Sequence, residues 1–184
     1  MVDLGTGDGA FVLHAARADP ASLVIGIDAD ASSMVEASRK AARSDLCNAL
    51  FVIAAAESLP HELDGMADDL RIHFPWGSLL RGLVHGEGPI VAALGRICAV
   101  GAGVTALVSI AENDGRVGAV LPEDPWTLGP RFGRHGLELV EVREPTAAEV
   151  AGTHSSWAKR LRAGSRRPVT LLRLVRMRGQ TASC

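Results

Sequence analysis

Three glycines at alternate positions, Gly5, Gly7 and Gly9, follow the short apolar stretch Met1-Val2-Asp3-Leu4 and run into a segment of helical pattern. A strand that turns sharply into a helix needs glycine, because φ must become positive and a ligand must approach bare backbone. Dinucleotide-binding loops usually space their glycines G-x-G-x-x-G, whereas this one reads G-x-G-x-G. Taken alone, the loop is also compatible with a turn of no function. Ala10 to Ala18 then has helical spacing, with Phe11 and Ala15 on one side, and Asp19-Pro20 stops it. Leu23 to Asp28 reads as a buried parallel strand that ends in a carboxylate. Asp28 lies 19 residues after Gly9, where an acid at the end of a second strand would hold two ribose hydroxyls. Loop and acid together predict a β-α-β nucleoside site.

A chain of 184 residues is expected to form a single domain over residues 1–184, large enough to bury roughly 70% of its unfolded surface. The longest uncharged run, Ile97 to Ala111, is 15 residues interrupted by glycines, too short to span a bilayer. No signal-peptide pattern is seen at the start. Cys47, Cys98 and Cys184 are scattered and odd in number, which reads as reduced thiols and a cytoplasmic setting. His61-Glu62 lacks the second histidine of a helical zinc motif, so no metal is expected. Charge is unevenly divided. Residues 150–184 carry eight Lys and Arg and no acid, against eleven Lys and Arg and twenty-one acids before them. A basic segment on an acidic body suits a phosphate-bearing partner, or is simply a solvated surface.

Further along, Ala31 to Arg43 reads as a helix, Leu50 to Ala54 as a third strand and Leu70 to Phe74 as a fourth. Leu79 to Val84 reads as a helical turn, Pro89 to Cys98 as a longer helix and Gly103 to Ser109 as a fifth strand. A helix is expected from about Leu121 to Arg134, and Leu137 to Val142 and Val169 to Met177 read as the last two strands. Strands alternating with helices predict an α/β, Rossmann-like fold, a seven-stranded mostly parallel sheet whose last strand is antiparallel.

The G-x-G-x-G loop resembles the S-adenosylmethionine (SAM) loop of class I methyltransferases. Phe74-Pro75-Trp76-Gly77-Ser78-Leu79-Leu80 and the late Ser155-Ser156-Trp157 make the resemblance specific. With these motifs the chain is similar, over essentially its whole length, to the aminoglycoside-resistance enzymes that methylate adenine-1408 of 16S ribosomal RNA at N1. The resemblance implies SAM as cofactor, with Asp3, Gly5 and Gly7 in its loop, Asp28 on the ribose and Glu57 toward the adenine. Ser78 and Ser155 would line the methionine end. Trp76 and Trp157 would sandwich the target base, and Arg39, Lys40, Arg43, Arg166 and Arg167 would contact RNA. The implied partner is 16S ribosomal RNA within the 30S subunit, with no membrane and a monomeric enzyme expected. The family carries a segment before its first strand, and this chain is expected to begin inside that strand. A transfer-RNA guanine-N7 enzyme is an alternative, although its F-P-D-P-W arrangement is missing here. A non-catalytic RNA-binding relic is another. Glu57 also suits a helix cap, Trp76 could pack inside, and Trp126 is assigned to packing.

Overall fold

The computed structural model describes residues 1–86, 88–110, 120–155 and 167–178. Seven strands form one sheet: β1 (Val2–Leu4), β2 (Val24–Asp28), β3 (Ala49–Ile53), β4 (Ala67–His73), β5 (Cys98–Val108), β6 (Leu137–Arg143) and β7 (Thr170–Arg176). The helices are α1 (Ala10–Ala18), α2 (Ala31–Arg43), α3 (Gly77–His85), α4 (Gly88–Ile97), α5 (Gly129–Gly133) and α6 (Ala147–Gly152).

Strand order is β3-β2-β1-β4-β5-β7-β6. The first five strands are parallel, and β7 runs antiparallel to both β5 and β6. Only three residues long, β1 nevertheless pairs on both sides, Val2 with Ile25 and with Leu70. One sheet face packs Leu4, Leu70, Ile72, Val104 and Leu172 against Leu83, Leu94 and Ile97 of α3 and α4. The other buries Val12, Ala16, Ala37 and Ala41 of α1 and α2 over β2 and β3. Parallel strands covered on both faces read as near-continuous apolar runs, which is how they stood out in the sequence. Chain connections leave β1 to one side and β4 to the other, so a crevice opens between their carboxyl ends.

Three expectations need correction. The helical turn after Phe74 is a full nine-residue helix, α3, which starts at Gly77 and ends on left-handed Gly86. The helix expected from Leu121 splits into a 3-10 turn, Pro125–Leu128, capped by Asp124, and the short α5. Pro125 and Pro130 explain the split, since each lacks the N–H a continuing helix requires. Trp126, assigned to packing, is 48% exposed. No helix is long and apolar enough to cross a membrane, and no group of His, Cys, Asp or Glu could hold a metal, among the described residues.

Candidate functional site

A cleft of about 660 Å³ lies at the carboxyl ends of β1, β2 and β4. Its floor is the glycine loop, tied to β2 by Gly5 and Thr6 N–H groups that both donate to the Ile27 carbonyl, at 2.8 and 3.0 Å. Gly5, Gly7 and Gly9 all have positive φ, 76°, 55° and 68°, yet they do three different things. A Cβ on Gly9 would stand 2.6 Å from the Ala37 Cβ and 2.7 Å from the Phe51 ring, so Gly9 lets α1 close on α2 and β3. A Cβ on Gly5 would meet Leu79 at 3.0 Å. A Cβ on Gly7 would meet nothing within 4 Å, so that side of its backbone faces open cleft.

Asp28 does more than the sequence suggested. Its Oδ2 accepts from the Gly7 N–H at 2.8 Å and its Oδ1 from the Asp30 N–H at 2.9 Å, which braces the loop against the end of β2. Each carboxylate oxygen can accept twice, so acceptor capacity remains on the cleft side. Asp30 caps α2, accepting from the Ser32 hydroxyl and N–H, and these bonds hold its carboxyl below the usual range. Beyond β3, Ala54 to Ala56 give an apolar wall and Glu57 stands exposed on a 3-10 turn. The N-cap of that turn is Ala55, and Glu57 lies inside the turn, so it does not occupy the cap position.

The opposite wall comes from the chain after β4. Phe74 is buried with φ 52°, an uncommon conformation for a bulky residue, and packs on Leu107 and Val169. Such a residue costs roughly 1–3 kcal/mol and persists only where its surroundings over-determine it. The turn it makes throws Trp76 outward, 60% exposed on the rim of the cleft, before Gly77 opens α3 and Ser78 lines the wall. Simple packing does not describe Trp76.

The last contribution arrives from α6. A capping box joins Thr146 and Glu149, and Arg143 holds both carboxylate oxygens of Glu149 at 2.8 and 2.7 Å. That pairing pushes the Glu149 carboxyl down to about 2. Buried Thr153 donates to the Val150 carbonyl and accepts from the Ser155 N–H, setting both residues at the cleft.

The cleft thus gathers Asp3, Gly5, Gly7, Asp28, Glu57, Trp76, Ser78 and Ser155. Trp157 and Arg166 lie outside the described residues. Arg39, Lys40 and Arg43 are exposed on α2, away from the cleft lining. From Asp30, they stand roughly 14–20 Å down the helix at 1.5 Å per residue. Arg167 is half-buried and also outside the lining. Sequence reasoning took Phe74 only as part of the family motif and missed Thr6, Phe11, Asp30, His73 and Thr153. Among these missed residues only Asp30, an Asp immediately before a helix, had a readable signal.

Charge decides what the cleft suits. Asp3, Asp8, Asp28, Asp30 and Glu57 line it, and among the described residues no Lys or Arg does. A pyrophosphate would be repelled there, whereas a nucleoside carrying positive charge is attracted.

Residues 1–176 match a family model described as NpmA: 16S rRNA (adenine(1408)-N(1))-methyltransferase. A 16S rRNA (adenine(1408)-N(1))-methyltransferase of Streptoalloteichus tenebrarius is 35% identical over 173 residues, covering 88% of this chain and 79% of that one. Its namesake in Escherichia coli is 31% identical over 179 residues, covering 90% and 82%. Among solved structures, a tryptophan-to-alanine mutant of the Catenulisporales acidiphilia enzyme, with cosubstrate SAM, superposes with a TM-score of 0.84 at 30% identity, covering 99% of this chain and 87% of that one. The 16S rRNA methyltransferase KamB superposes at 0.81 with 32% identity, covering 96% and 87%.

Proposed function

The chain belongs to the 16S rRNA (adenine(1408)-N(1))-methyltransferase family, and from that premise we infer how its cleft works. It is a SAM-dependent methyltransferase of 16S ribosomal RNA, of the kind that confers aminoglycoside resistance. The observation that carries the cofactor assignment is the acidic cleft around a glycine loop, lined by no Lys or Arg among the described residues. SAM supplies a sulfonium-bound methyl group and an overall positive charge, and the residues present fit it.

In this reading Asp28 accepts from the ribose hydroxyls with the capacity that Gly7 and Asp30 leave it. Gly7 gives the ligand room, and Glu57 takes the adenine end beyond the apolar Ala54 to Ala56 wall. Ser78 and Ser155 serve the methionine end. Trp76 stacks on the target base, and Trp157 supplies the second face of the sandwich.

Adenine N1 presents its lone pair in the neutral base, so the protein needs no general base. What remains is alignment, which can supply as much as ~7–11 kcal/mol when reacting atoms are held in near-attack geometry. Extruding a stacked base costs a few kcal/mol, and each indole face returns about 1–3 kcal/mol. Positive charge builds on the adenine ring as the methyl transfers, and an indole face attracts cations. Trp76 therefore favours the transition state over the neutral bound base, raising rate as well as affinity. Arg39, Lys40 and Arg43 dock the ribosomal RNA, with Arg166 and Arg167 near the flipped nucleotide's phosphate, and the enzyme acts as a cytoplasmic monomer on the 30S subunit.

The test is incubation of purified protein with labelled SAM, intact 30S subunits and bulk transfer RNA, followed by mapping of the modified nucleotide. Label on N1 of adenine-1408 is expected. Label on guanine N7 of transfer RNA, or none on any RNA, overturns the assignment.

A further inference from the structure

We propose that His73 is a positioning residue for the amino-acid end of the cofactor, acting through Asp3; the proposal rests on the SAM reading of the cleft. His73 ends β4 and Asp3 lies on the adjacent β1, whose register sets Asp3 opposite Arg71. Residues two apart on a strand share a face, so His73 is one step further toward the cleft on the side that carries Asp3. Arg71 does not take the Asp3 carboxylate. Its guanidinium turns to Asp69 at 2.7 Å.

The Asp3 carboxylate is therefore divided between a closed oxygen and an open one. Oδ2 accepts from the Thr6 hydroxyl at 2.6 Å, while Oδ1 is buried with no hydrogen bond. His73 Nδ1 is 3.4 Å from that open oxygen and is itself buried without a hydrogen bond. The two side chains are 2% and 7% exposed, and both line the cleft. Phe11 meets the His73 ring in a T-shaped contact, 4.6 Å between centroids, which keeps the imidazole from swinging away. A buried carboxylate oxygen without a donor is costly, so two orphans facing one another at a ligand wall form a site that ligand binding completes.

Position along the cleft identifies which part of the ligand does so. Glu57 follows β3, Asp28 ends β2, and Asp3 and His73 stand on β1 and β4. A cofactor with its adenine by Glu57 and its ribose on Asp28 brings its amino-acid end to β1 and β4. When Nδ1–H donates to Oδ1, the Asp3 carboxylate is fixed in orientation and Nε2 is left as an acceptor. Asp3 can then receive the cofactor's ammonium with its remaining acceptor capacity.

The test titrates wild type, His73→Leu and His73→Asn with two ligands by calorimetry: S-adenosylhomocysteine, which has the amino-acid end, and 5′-methylthioadenosine, which lacks it. His73→Leu is expected to weaken S-adenosylhomocysteine by about tenfold or more, and methylthioadenosine by about twofold or less. In His73→Asn an amide nitrogen takes the place of Nδ1 and recovers most of the loss. Equal weakening of both ligands, no weakening of either, or no recovery with asparagine overturns the proposal. Wild type that binds neither ligand overturns the SAM reading itself, and the proposal with it.

Discussion

The two walls of the cleft are built from different materials. The wall formed by the glycine loop and the ends of β2 and β3 is backbone, small side chains and carboxylates, with Asp28 bonded to two main-chain amides. The facing wall, from His73 to Leu79 and from Thr153 to Ser155, is built of rings and hydroxyls, turned by a strained Phe74 and ending in an exposed Trp76. The first has little freedom to change its shape or charge and suits a ligand that never varies. The second presents replaceable side chains: His73, Ser78 and Ser155 sit toward the cofactor's methionine end, and Trp76 on the rim suits the feature that distinguishes one methyl acceptor from another. The division predicts that cofactor affinity and methyl transfer can be damaged separately.

The largest separation is expected at Trp76. Trp76→Ala should lower methylation of 30S subunits by about 100-fold, the upper range for removal of one stacking face, with SAM affinity close to wild type. Trp76→Phe should recover part of the rate because a weaker stacking face is restored. Equal loss of SAM binding in the alanine variant would dissolve the distinction between the walls.

Within the first wall, Gly7 and Gly9 should part company. Gly9→Ala pushes a methyl group into Ala37 and Phe51 at positive φ, and should destabilise the fold by about 2–3 kcal/mol in denaturant titrations. Gly7→Ala meets nothing, so its stability cost should be the smaller, about 1 kcal/mol for the backbone alone. Its main effect should be on SAM affinity, since the new methyl group stands where the ligand must approach.

Asp28→Ala should weaken SAM by about 1–3 kcal/mol, because it removes the acceptor for the ribose hydroxyls and strands the Gly7 N–H. Asp28→Asn keeps an acceptor for Gly7 and should lose less. If both variants lose the same amount, the brace contributes nothing to binding.

Reversing Arg39, Lys40 and Arg43 together tests the wider surface. The logarithmic salt slope of subunit binding should fall by about 2–3, one increment for each phosphate no longer neutralised, with SAM binding unchanged. A slope indifferent to the change moves the docking face elsewhere.

The smallest expected effect belongs to Glu149, whose carboxyl is held down to about 2 by Arg143 and Thr146. A depressed carboxyl contributes stability above its ordinary value, 4.5, and that contribution fades as pH falls toward about 2. Melting of wild type and Glu149→Gln should therefore differ most at pH 5 and above, and converge near pH 2. A gap that widens in acid would show that Arg143 is not its source.

The first wall was also the readable one. Gly5, Gly7, Gly9 and Asp28 stand within 24 residues, and their spacing is set by sterics and by one crossover helix. Helices α1 and α2 have the bounds expected from periodicity and, for α1, from the Asp19-Pro20 stop. Nothing local identifies His73, which earns its place only because β4 lies beside β1. Thr153 likewise depends on the turn after α6, and the positive φ of Phe74 on packing from β5 and Val169. The family motifs located Trp76 and Ser78, but their placement on a rim needed the tertiary structure.

Strand β7 carries a consequence for the order of events in synthesis. It is inserted between β5 and β6, so β6 has no hydrogen-bonded neighbour until β7 has been made. Val169, just before β7, also completes the small cluster under Phe74, and the Pro168 carbonyl receives the Ser109 hydroxyl. A nascent chain emerging amino end first can assemble the cofactor wall early, but the substrate wall must wait for residues made more than ninety positions after Phe74. The nucleoside half of the cofactor site, Gly7, Asp28 and Glu57, is therefore complete in the growing chain well before the rim that meets the methyl acceptor.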